Sequence, residues 1–370
     1  MKHLILLVTA VLSFSCTSPS QKKEAHERDE MAATKRITLL FAGDFMQHQR
    51  QIDAAVTDSG YNYDDCFSQI KEEVSQADIA IGNLEVTLGG EPYGGYPGFS
   101  APDEYMHAIQ NAGFDVMTTA NNHCLDKGRK GLERTIHILD SLKVPHLGTY
   151  LDIDDRENRY PLFIEKNGFS IALLNYTYAT NGLKTKKPNV VNYIGKKLIL
   201  RDIVKARAKN PDVIIACMHW GTEYQSTPDK NQIELANWLF AHGVDHVIGS
   251  HPHVVQPMEI RYDPVKKQQH ILVYSLGNYI SDMSALKTDG GVMFKMELSK
   301  KDTVKVKNCG YSLVWTYRPK FSGEKNYKII PAASPRDKLP VNVANRLNIF
   351  IKDSRNLFTT HNKEIKEYIF

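Results

Sequence analysis

The chain has 370 residues and carries 46 Lys and Arg against 42 Asp and Glu, a net charge of +4 at neutral pH. This weak positive excess, without a run of basic residues interleaved with aromatic ones, argues against a nucleic-acid-binding protein. The length is sufficient for one large domain or two modest ones with a sizeable core.

The N-terminus has the features of an export signal. Lys2 and His3 precede an apolar run at residues 4–12, which is too short to span a bilayer because spanning takes about 20 apolar residues. Small residues then lead to Cys16, and the arrangement resembles the lipobox of bacterial lipoproteins. That resemblance implies a signal peptide at 1–15, a lipid on the Cys16 sulfur and attachment to a membrane of the bacterial cell envelope, facing the periplasm or the exterior. The alternatives are a simple cleaved signal peptide with an incidental cysteine, and a cytoplasmic protein with an apolar start.

A polar segment separates this signal from the rest of the chain. Residues 16–34 are charged and almost without large apolar side chains, so they cannot bury enough surface to become ordered. We expect a flexible tether there and a single domain over residues 35–370.

In the domain, short apolar runs alternate with longer amphipathic ones. In chain order, the sequence predicts a strand at 37–42, a helix at 66–76, a strand at 79–81, a helix at 102–112, a strand at 116–120, a helix at 131–142, a strand hairpin at 163–178, a helix at 197–209, a strand at 213–218, a helix at 231–242, strands at 247–248 and 271–276, a β-rich block at 292–317 and helix within 341–368. This α/β alternation predicts a largely parallel sheet covered by helices, and the late β-rich block predicts a second, more antiparallel sheet packed on the first.

Six apolar runs end in polar residues that can bind a metal ion or orient a ligand. These are Asp44, Glu85, Asn122 with His123, His219, His251 with His253, and Asn278. Ligands of open α/β sheets bind beyond the carboxyl ends of the strands, so we expect these side chains to meet in one region. Any one of them could be structural, but turn chemistry does not readily explain six at equivalent positions.

The types of side chain indicate which metals would suit the site. Imidazole, carboxylate and amide oxygen together favour Mn²⁺, Zn²⁺ or Fe²⁺, whereas a Mg²⁺ or Ca²⁺ site would be richer in oxygen. The glycines before Asp44, Asn83 and Asn278 would allow tight turns at these strand ends. His251 and His253 are two residues apart and would point the same way on an extended segment.

Short motifs around these residues stand in the order expected of the CapA family of poly-γ-glutamate capsule synthesis proteins. The motifs are Gly43-Asp44-Phe45-Met46, Gly82-Asn83-Leu84-Glu85, Asn121-Asn122-His123 with Asp126 and Gly128, His219-Trp220-Gly221 with Glu223-Tyr224, Gly249-Ser250-His251-Pro252-His253 and Tyr274-Ser275-Leu276-Gly277-Asn278. The resemblance covers about residues 37–290. The family in turn resembles the calcineurin-like metallophosphoesterases, which implies a four-layer αββα sandwich of two mixed β-sheets flanked by helices.

The resemblance also implies a division of the metal ligands between two ions. Asp44 and His253 would hold the first ion, Glu85 would bridge, and Asn122, His219 and His251 would hold the second. Two departures bear on activity. Met46 stands where the superfamily has a ligand histidine, and Glu85 replaces a shorter bridging Asp, so one position could bind its ion weakly.

Other residues near the motifs have expected roles in catalysis. His123 follows the ligand Asn122, where the resemblance implies a general acid or a phosphate contact. Asp126 would orient His123, or alternatively cap the helix that follows. Glu223 and Tyr224 would contact the substrate, and Asn278 would hold either a histidine or the substrate.

Three functions remain open. The chain could be a metal-dependent hydrolase acting on an anionic or amide-linked envelope polymer or metabolite. It could be a non-catalytic subunit of a capsule synthesis complex that holds poly-γ-glutamate or another anionic polymer for synthesis or export. A weaker alternative is a metal-stabilised adhesion or scaffold protein.

Several other residues are expected to lie outside the site. They are His107, His137, His146, His242, His246 and His270. Cys124 could be a soft metal contact or a packed small residue, and the second is favoured. The glycine-rich, aromatic stretch 89–98 is expected near the site as a flexible loop.

Overall fold

The computed structural model describes residues 34–265, 267–319, 326–337 and 339–370. The predicted signal peptide, Cys16 and residues 17–33 of the tether lie outside the described residues. The strands are β1 (Lys35–Phe45), β2 (Val56–Thr57), β3 (Gly60–Tyr61), β4 (Ile79–Leu84), β5 (Val116–Thr118), β6 (His146–Leu147), β7 (Thr149–Tyr150), β8 (Leu162–Lys166), β9 (Phe169–Thr177), β10 (Val190–Val191), β11 (Val213–His219), β12 (His246–Ser250), β13 (Met258–Asp263), β14 (Gln268–Val273), β15 (Asn278–Ile280), β16 (Gly290–Lys300), β17 (Val304–Tyr317), β18 (Lys328–Pro331) and β19 (Lys366–Glu367). The helices are α1 (Gln49–Ala55), α2 (Asp64–Phe67), α3 (Lys71–Ser75), α4 (Asp103–Asn111), α5 (Gly128–Ser141), α6 (Ile153–Arg159), α7 (Lys196–Arg207), α8 (Lys230–Ala241) and α9 (Val341–His361).

Two mixed sheets form the centre of the molecule. In the first, the strand order is β18-β17-β16-β1-β4-β5-β6, with β15 beside β1 and β19 beside β17. Strands β1, β4, β5 and β6 are parallel, and β16, β17 and β18 add an antiparallel half. In the second, the order is β13-β14-β12-β11-β9-β8, with four parallel strands between two antiparallel edge strands.

The hydrophobic core follows from the alternation of side chains along the strands. Residues 37, 39 and 41 of β1 join a core that also contains the buried residues of the second sheet, whereas residues 40, 42 and 45 pack with helices α2 to α4. Up to residue 42 this is the period of two that a strand imposes, and the register shift around Asp44 displaces it at Phe45. Helices α7 and α8 pack on the second sheet through residues such as Ile203 and Leu239. The layers therefore run helix, sheet, sheet, helix, and the predicted α/β sandwich of two mixed sheets is confirmed.

The origin of the second sheet differs from the prediction. The late β-rich block does not form a sheet of its own, because β16 pairs antiparallel with β1 along eight residue pairs and so extends the first sheet. The second sheet comes from the middle of the chain. Its edge hairpin turns at Asn167 and Gly168 as predicted, with positive φ angles of 51° and 75° that suit this turn.

Most predicted helices exist with small shifts at their ends. The helix predicted at 66–76 is instead two short helices, α2 and α3. The helical prediction for 341–368 holds for α9, after which β19 joins the first sheet. The short helices α1 and α6 were not predicted. Among the described residues, no helix is both long enough and apolar enough to cross a membrane.

Candidate metal centre and active-site cleft

The polar strand ends of the two sheets meet in one place, as predicted. In the first sheet, Asp44 of β1 is in register with Asn83 of β4 and with Asn278, the first residue of β15. In the second sheet, His219 ends β11 opposite Ser250 of β12. Glu85, Asn122 and the two histidines at 251 and 253 follow directly after strands or lie in the loops beyond them.

Of the glycines that precede Asp44, Asn83 and Asn278, most are required by close packing rather than by a tight turn. A Cβ atom on Gly43 would lie 1.9 Å from the Gly277 carbonyl oxygen, and one on Gly82 would lie 2.5 Å from the Phe45 ring. Only Gly277, before Asn278, has a positive φ angle, 70°. The predicted tight turn is therefore confirmed at Gly277 and wrong at the other two, where strand-to-strand contact excludes a side chain.

The segment that carries His251 and His253 is not extended. Both residues have positive φ angles, 104° and 58°, which non-glycine residues rarely adopt outside strained or functional segments. The chain turns sharply after β12, and the two imidazole rings still lie only 5.9 Å apart between centroids. The pair points toward one site by this turn rather than by the predicted period of two.

The two carboxylates are fully buried beside one amide. Asn83 Nδ2 donates to Asp44 Oδ1 at 2.8 Å and to Glu85 Oε2 at 3.4 Å. The His251 backbone N–H donates to Asp44 Oδ2 at 3.4 Å. Asp44 and Glu85 have no exposed surface, and two buried carboxylates without a full set of donors are costly unless a cation offsets their charge.

The histidines surround these carboxylates. His219 Nε2 lies 3.8 Å from Glu85 Oε1 and 2.7 Å from Asn122 Oδ1. His253 Nε2 lies 3.9 Å from Glu85 Oε1, and its Nδ1 lies 3.6 Å from Asp44 Oδ2. The Asn122 amide oxygen thus reaches the site, and its role as a metal ligand stays a prediction.

Burial and mutual repulsion shift the pKa values of Glu85, His251 and His219 toward their neutral forms, whereas for His253 the contacts with Asp44 outweigh burial and raise the pKa. Burial, and then the neighbouring Asp44, raise the pKa of Glu85 well above its usual range. Burial and the nearby His253 lower the pKa of His251 to about 3, and burial lowers that of His219 well below its usual range. Neutral imidazole is the form that binds metal ions.

The donors fit a divalent ion. Two groups of ligand atoms lie within 4.8 Å of one another: Asp44, Glu85 and His219, and Glu85, His251 and His253. Glu85 belongs to both groups. Glu85 Oε1 and His251 Nδ1 are buried and have no hydrogen-bond partner among the described residues, and polar atoms of this kind fit the role of metal ligands. The division of ligands between two ions stays a prediction.

His123 and Asp126 form a separate pair beside the predicted metal ligands. His123 Nδ1 lies 2.7 Å from Asp126 Oδ2, and the same oxygen accepts the Phe99 backbone N–H at 3.0 Å. The Phe99 ring packs edge-on against His123 with 4.6 Å between centroids. Lys127, not Asp126, is the residue that precedes α5, and no side chain caps that helix. Of the two predicted roles of Asp126, the structure therefore supports orientation of His123.

A cleft of about 770 Å³ opens over this pair. Its lining consists of Met46, His48, Tyr96, Pro97, His123, Asp126, Asn181, Leu183, Glu223, Tyr224, His253 and Met283. The lining contains Glu223 and Tyr224, which were predicted to contact substrate, and Tyr96 from the predicted aromatic loop. Met46 is a buried apolar residue in the wall of the cleft. His48 also lines the cleft, and burial lowers its pKa to about 4.

Asn278 does not reach the cleft lining. It is fully buried, and its Oδ1 lies 3.0 Å from His253 Nδ1. Its amide N–H donates to the Thr288 carbonyl at 2.8 Å, which fixes the amide's orientation. Of the two roles predicted for Asn278, holding a histidine fits this position.

The sequence analysis missed Asn83 and Tyr178 as parts of the site. Asn83 lies at the centre of the ligand cluster, and Tyr178 places its ring 4.4 Å from His251. The position of Asn83 at the end of β4 was a usable signal, because Asp44 ends the neighbouring strand in the same register. Tyr178 carried no such signal.

The six histidines and the cysteine that were not predicted as site residues lie outside the two groups of candidate metal ligands. The six histidines at 107, 137, 146, 242, 246 and 270 take no part in either ligand group. Cys124 is buried with an unpaired thiol, and burial raises its pKa to about 12. A thiol so firmly protonated is a packed small residue, as favoured from the sequence.

Comparison with known proteins places the chain in a family. Residues 38–283 match the profile described as "Bacterial capsule synthesis protein PGA_cap". The chain belongs to the PGA_cap family. The match spans every predicted ligand, from Asp44 to His253, together with Asn278.

Two curated proteins are similar to the chain over most of its length. The capsule biosynthesis protein CapA of Bacillus anthracis is 27% identical over 311 residues, covering 81% of this chain and 73% of the relative. The PGA biosynthesis protein CapA of Bacillus subtilis is 25% identical over 277 residues, covering 72% and 69%.

Solved structures with similar folds are more distant. An NAD nucleotidase of Haemophilus influenzae matches with a TM-score of 0.49 and 12% identity, covering 86% of this chain and 56% of the nucleotidase. A calcineurin-like phosphoesterase of Bacillus subtilis matches with a TM-score of 0.45 and 16% identity, covering 88% of this chain and 99% of the phosphoesterase. Likenesses this distant do not indicate an activity.

Proposed function

We propose that the chain is a cell-envelope protein of poly-γ-glutamate or related capsule biosynthesis that carries a divalent-metal hydrolase site. Membership of the PGA_cap family supports the capsule role. The observation that carries the hydrolase site is the buried cluster of two carboxylates and three histidines around Glu85, whose Oε1 has no hydrogen-bond partner among the described residues.

The proposed ligands are Asp44, Glu85, Asn122, His219, His251 and His253, and the ion would be Mn²⁺, Zn²⁺ or Fe²⁺. Such an ion, when bound, makes water a stronger acid and polarises the bond to be broken. The protein's part is to hold the ligands in place. Asn278 contributes by fixing the His253 ring, a contact of the kind that strengthens metal binding.

His123 would transfer the proton to the leaving group. Because His123 Nδ1 donates a hydrogen bond to the Asp126 carboxylate, the other ring nitrogen, Nε2, is left for proton transfer. The Phe99 backbone N–H holds the Asp126 carboxylate in turn, so the imidazole has little freedom to rotate. Glu223 and Tyr224, across the cleft, would contact the substrate.

A second candidate function is binding of an anionic polymer without turnover. The loop that supplies Asn181 and Leu183 to the cleft continues into three exposed lysines, Lys184, Lys186 and Lys187. Positive side chains beside the cleft would attract poly-γ-glutamate. The buried Met46, in place of a histidine ligand, also favours this alternative because it leaves one ion with fewer ligands.

Attachment to the membrane through a lipid on Cys16 and participation in a capsule synthesis complex are further parts of the proposal. The apolar run at 4–12 and the small residues before Cys16 support the anchor. Mass spectrometry of the protein extracted from membranes would detect the lipid on Cys16, and an unmodified Cys16 in the mature chain would contradict it.

Turnover assays separate the two candidate functions. The purified chain, supplied with Mn²⁺ or Zn²⁺, is given a generic phosphodiester and poly-γ-glutamate. We expect hydrolysis that His123→Ala reduces by about 10²–10⁴-fold, while His137→Ala, an exposed histidine on α5, leaves the rate unchanged. Tight polyglutamate binding without hydrolysis of either substrate would instead favour the polymer-binding function.

A further inference from the structure

The Asn83 side chain contacts three of the proposed metal ligands although it was not predicted as one. Its Nδ2 lies 2.8 Å from Asp44 Oδ1, 3.4 Å from Glu85 Oε2 and 3.3 Å from His219 Nδ1. Asn83 is itself buried. A single amide group therefore lies against both carboxylates and a histidine.

The orientation of this amide is set from its other side. Asn83 Oδ1 accepts the Thr118 hydroxyl at 3.2 Å and the Asn121 amide N–H at 3.4 Å. Asn121 is fixed in turn by donating to the Leu84 carbonyl at 2.7 Å. Because an amide donates through its nitrogen and accepts through its oxygen, these contacts turn the Asn83 N–H groups toward the carboxylates.

We infer that Asn83 is a positioning residue that stabilises the metal-free site and thereby limits how tightly the site holds a divalent ion. The inference rests on the metal site of the proposed function. The N–H groups of Asn83 place a partial positive charge beside both Asp44 and Glu85, which offsets part of their charge. The same charge opposes an arriving cation, which must compete with the amide for these carboxylates.

The decisive variant is Asn83→Asp, which keeps the shape of the side chain, removes the N–H groups and adds a negative charge. The metal-free variant should have a lower Tm than the wild type, because three carboxylates then share one buried space. Its Kd for Mn²⁺, measured by calorimetry, should fall by about tenfold or more, because an added charge close to a divalent ion is strongly attractive in a buried site. A residue with only a structural role would not lower the stability of the metal-free chain and at the same time raise its affinity for Mn²⁺.

Asn175→Asp is the matched control. Asn175 is also a buried asparagine at the end of a strand, where it accepts the Ala120 N–H at 2.8 Å and donates to the Cys217 carbonyl at 3.1 Å. It contacts backbone rather than the proposed ligands. We expect the control to lower the Tm and to leave the Kd for Mn²⁺ unchanged.

Asn83→Asp could prevent folding of the metal-free chain. The variant is then purified with Mn²⁺, and the ion is withdrawn with EDTA. The inference expects unfolding to accompany loss of the ion, while the wild type stays folded under the same treatment. A variant that does not fold even with Mn²⁺ overturns the inference.

The other possible results of the Mn²⁺ binding measurements also test the inference. An unchanged or higher Kd for Mn²⁺ in Asn83→Asp, with a wild type that binds the ion, overturns the role of Asn83 and leaves the proposed metal site intact. A wild type that binds neither Mn²⁺ nor Zn²⁺ overturns the proposed site itself, and the inference with it.

Discussion

Two buried polar clusters in this molecule differ in how completely their hydrogen bonds are satisfied. Behind β9, the Arg156 guanidinium donates to Asp202 at 2.6 Å and to Asn192 at 2.7 Å, and the Tyr176 hydroxyl donates to Asp202 at 2.9 Å. Arg156 also lies over the Tyr160 ring. Every charge in this cluster has a partner of the opposite sign or a hydrogen bond.

The cluster at the strand ends has a different balance. It holds two carboxylates without Arg or Lys among their contacts in the described part of the chain, and Glu85 Oε1 and His251 Nδ1 lack hydrogen-bond partners there. Both clusters are buried to the same degree, so burial alone does not distinguish structure from function. The charge balance does: the strand-end cluster combines two carboxylates with three histidines, and its unsatisfied atoms lie within these groups, which fits a site that binds a cation.

The largest effect on stability is expected in the satisfied cluster. Asp202→Ala leaves the Arg156 charge buried without its partner and should lower the free energy of unfolding by about 3–5 kcal/mol. Chemical denaturation measures this loss. Arg129→Ala, which breaks a half-exposed pair with Glu133, should cost less than about 1 kcal/mol. Equal losses in the two variants would contradict the assignment of Asp202 as the partner of a buried charge.

The next effect concerns stabilisation by metal. Mn²⁺ at about 100 times its Kd should stabilise the wild type by about 2.7 kcal/mol, seen as a rise in Tm. Glu85→Gln keeps the side-chain shape and should abolish most of that rise, because Glu85 belongs to both ligand groups. Glu73→Gln, at a buried glutamate paired with Lys295, should retain it. An undiminished rise in Glu85→Gln would exclude Glu85 as a ligand.

A smaller effect should separate orientation of His123 from metal binding. Asp126→Asn changes the acceptor at His123 Nδ1 and should lower the turnover rate by about 10- to 100-fold, part of what a positioned acid contributes. Metal content should stay at the wild-type level, since neither residue belongs to the ligand groups. Loss of the metal together with activity would show that Asp126 instead supports the metal site.

The smallest effect is expected at the rim of the cleft. Tyr96 is 75% exposed and its ring lies 6.5 Å from that of His123. Tyr96→Ala should weaken substrate binding by about 1 kcal/mol, roughly fivefold in KM, with kcat little changed. Tyr262→Ala, at a similarly exposed tyrosine on β13 outside this cleft, should alter neither constant. A drop in kcat for Tyr96→Ala would place Tyr96 in the catalytic step instead.

The sequence was most informative about polar side chains that stand at the ends of strands. The carboxyl ends of parallel strands share one edge of a sheet, so the proximity of Asp44 and Glu85 could be predicted from local patterns alone. His219 ends a strand of the second sheet and joins them because the polar strand ends of the two sheets meet. Strand pairing was harder, because local patterns do not state that β16 lies beside β1. The late β-rich block was therefore assigned to the wrong sheet.

The orientation of the Asn83 amide also could not be predicted from the sequence. The role of Asn83 depends on Thr118 and Asn121, which lie on other segments of the chain and turn its N–H groups toward the carboxylates. The left-handed turn at His251 is likewise set by the loop after β12 rather than by residue type. Both features arise from contacts between distant segments, which no short motif records.

Metal content measured by elemental analysis is the most direct test of the site, with the wild type compared with His219→Ala. The wild type, loaded with Mn²⁺ or Zn²⁺ and desalted, should retain about one or two ions per chain, and His219→Ala should lose most of them because His219 closes the ligand group with Asp44 and Glu85. A wild type that retains no ion, or a His219→Ala variant with the full wild-type content, would contradict a metal centre at these strand ends.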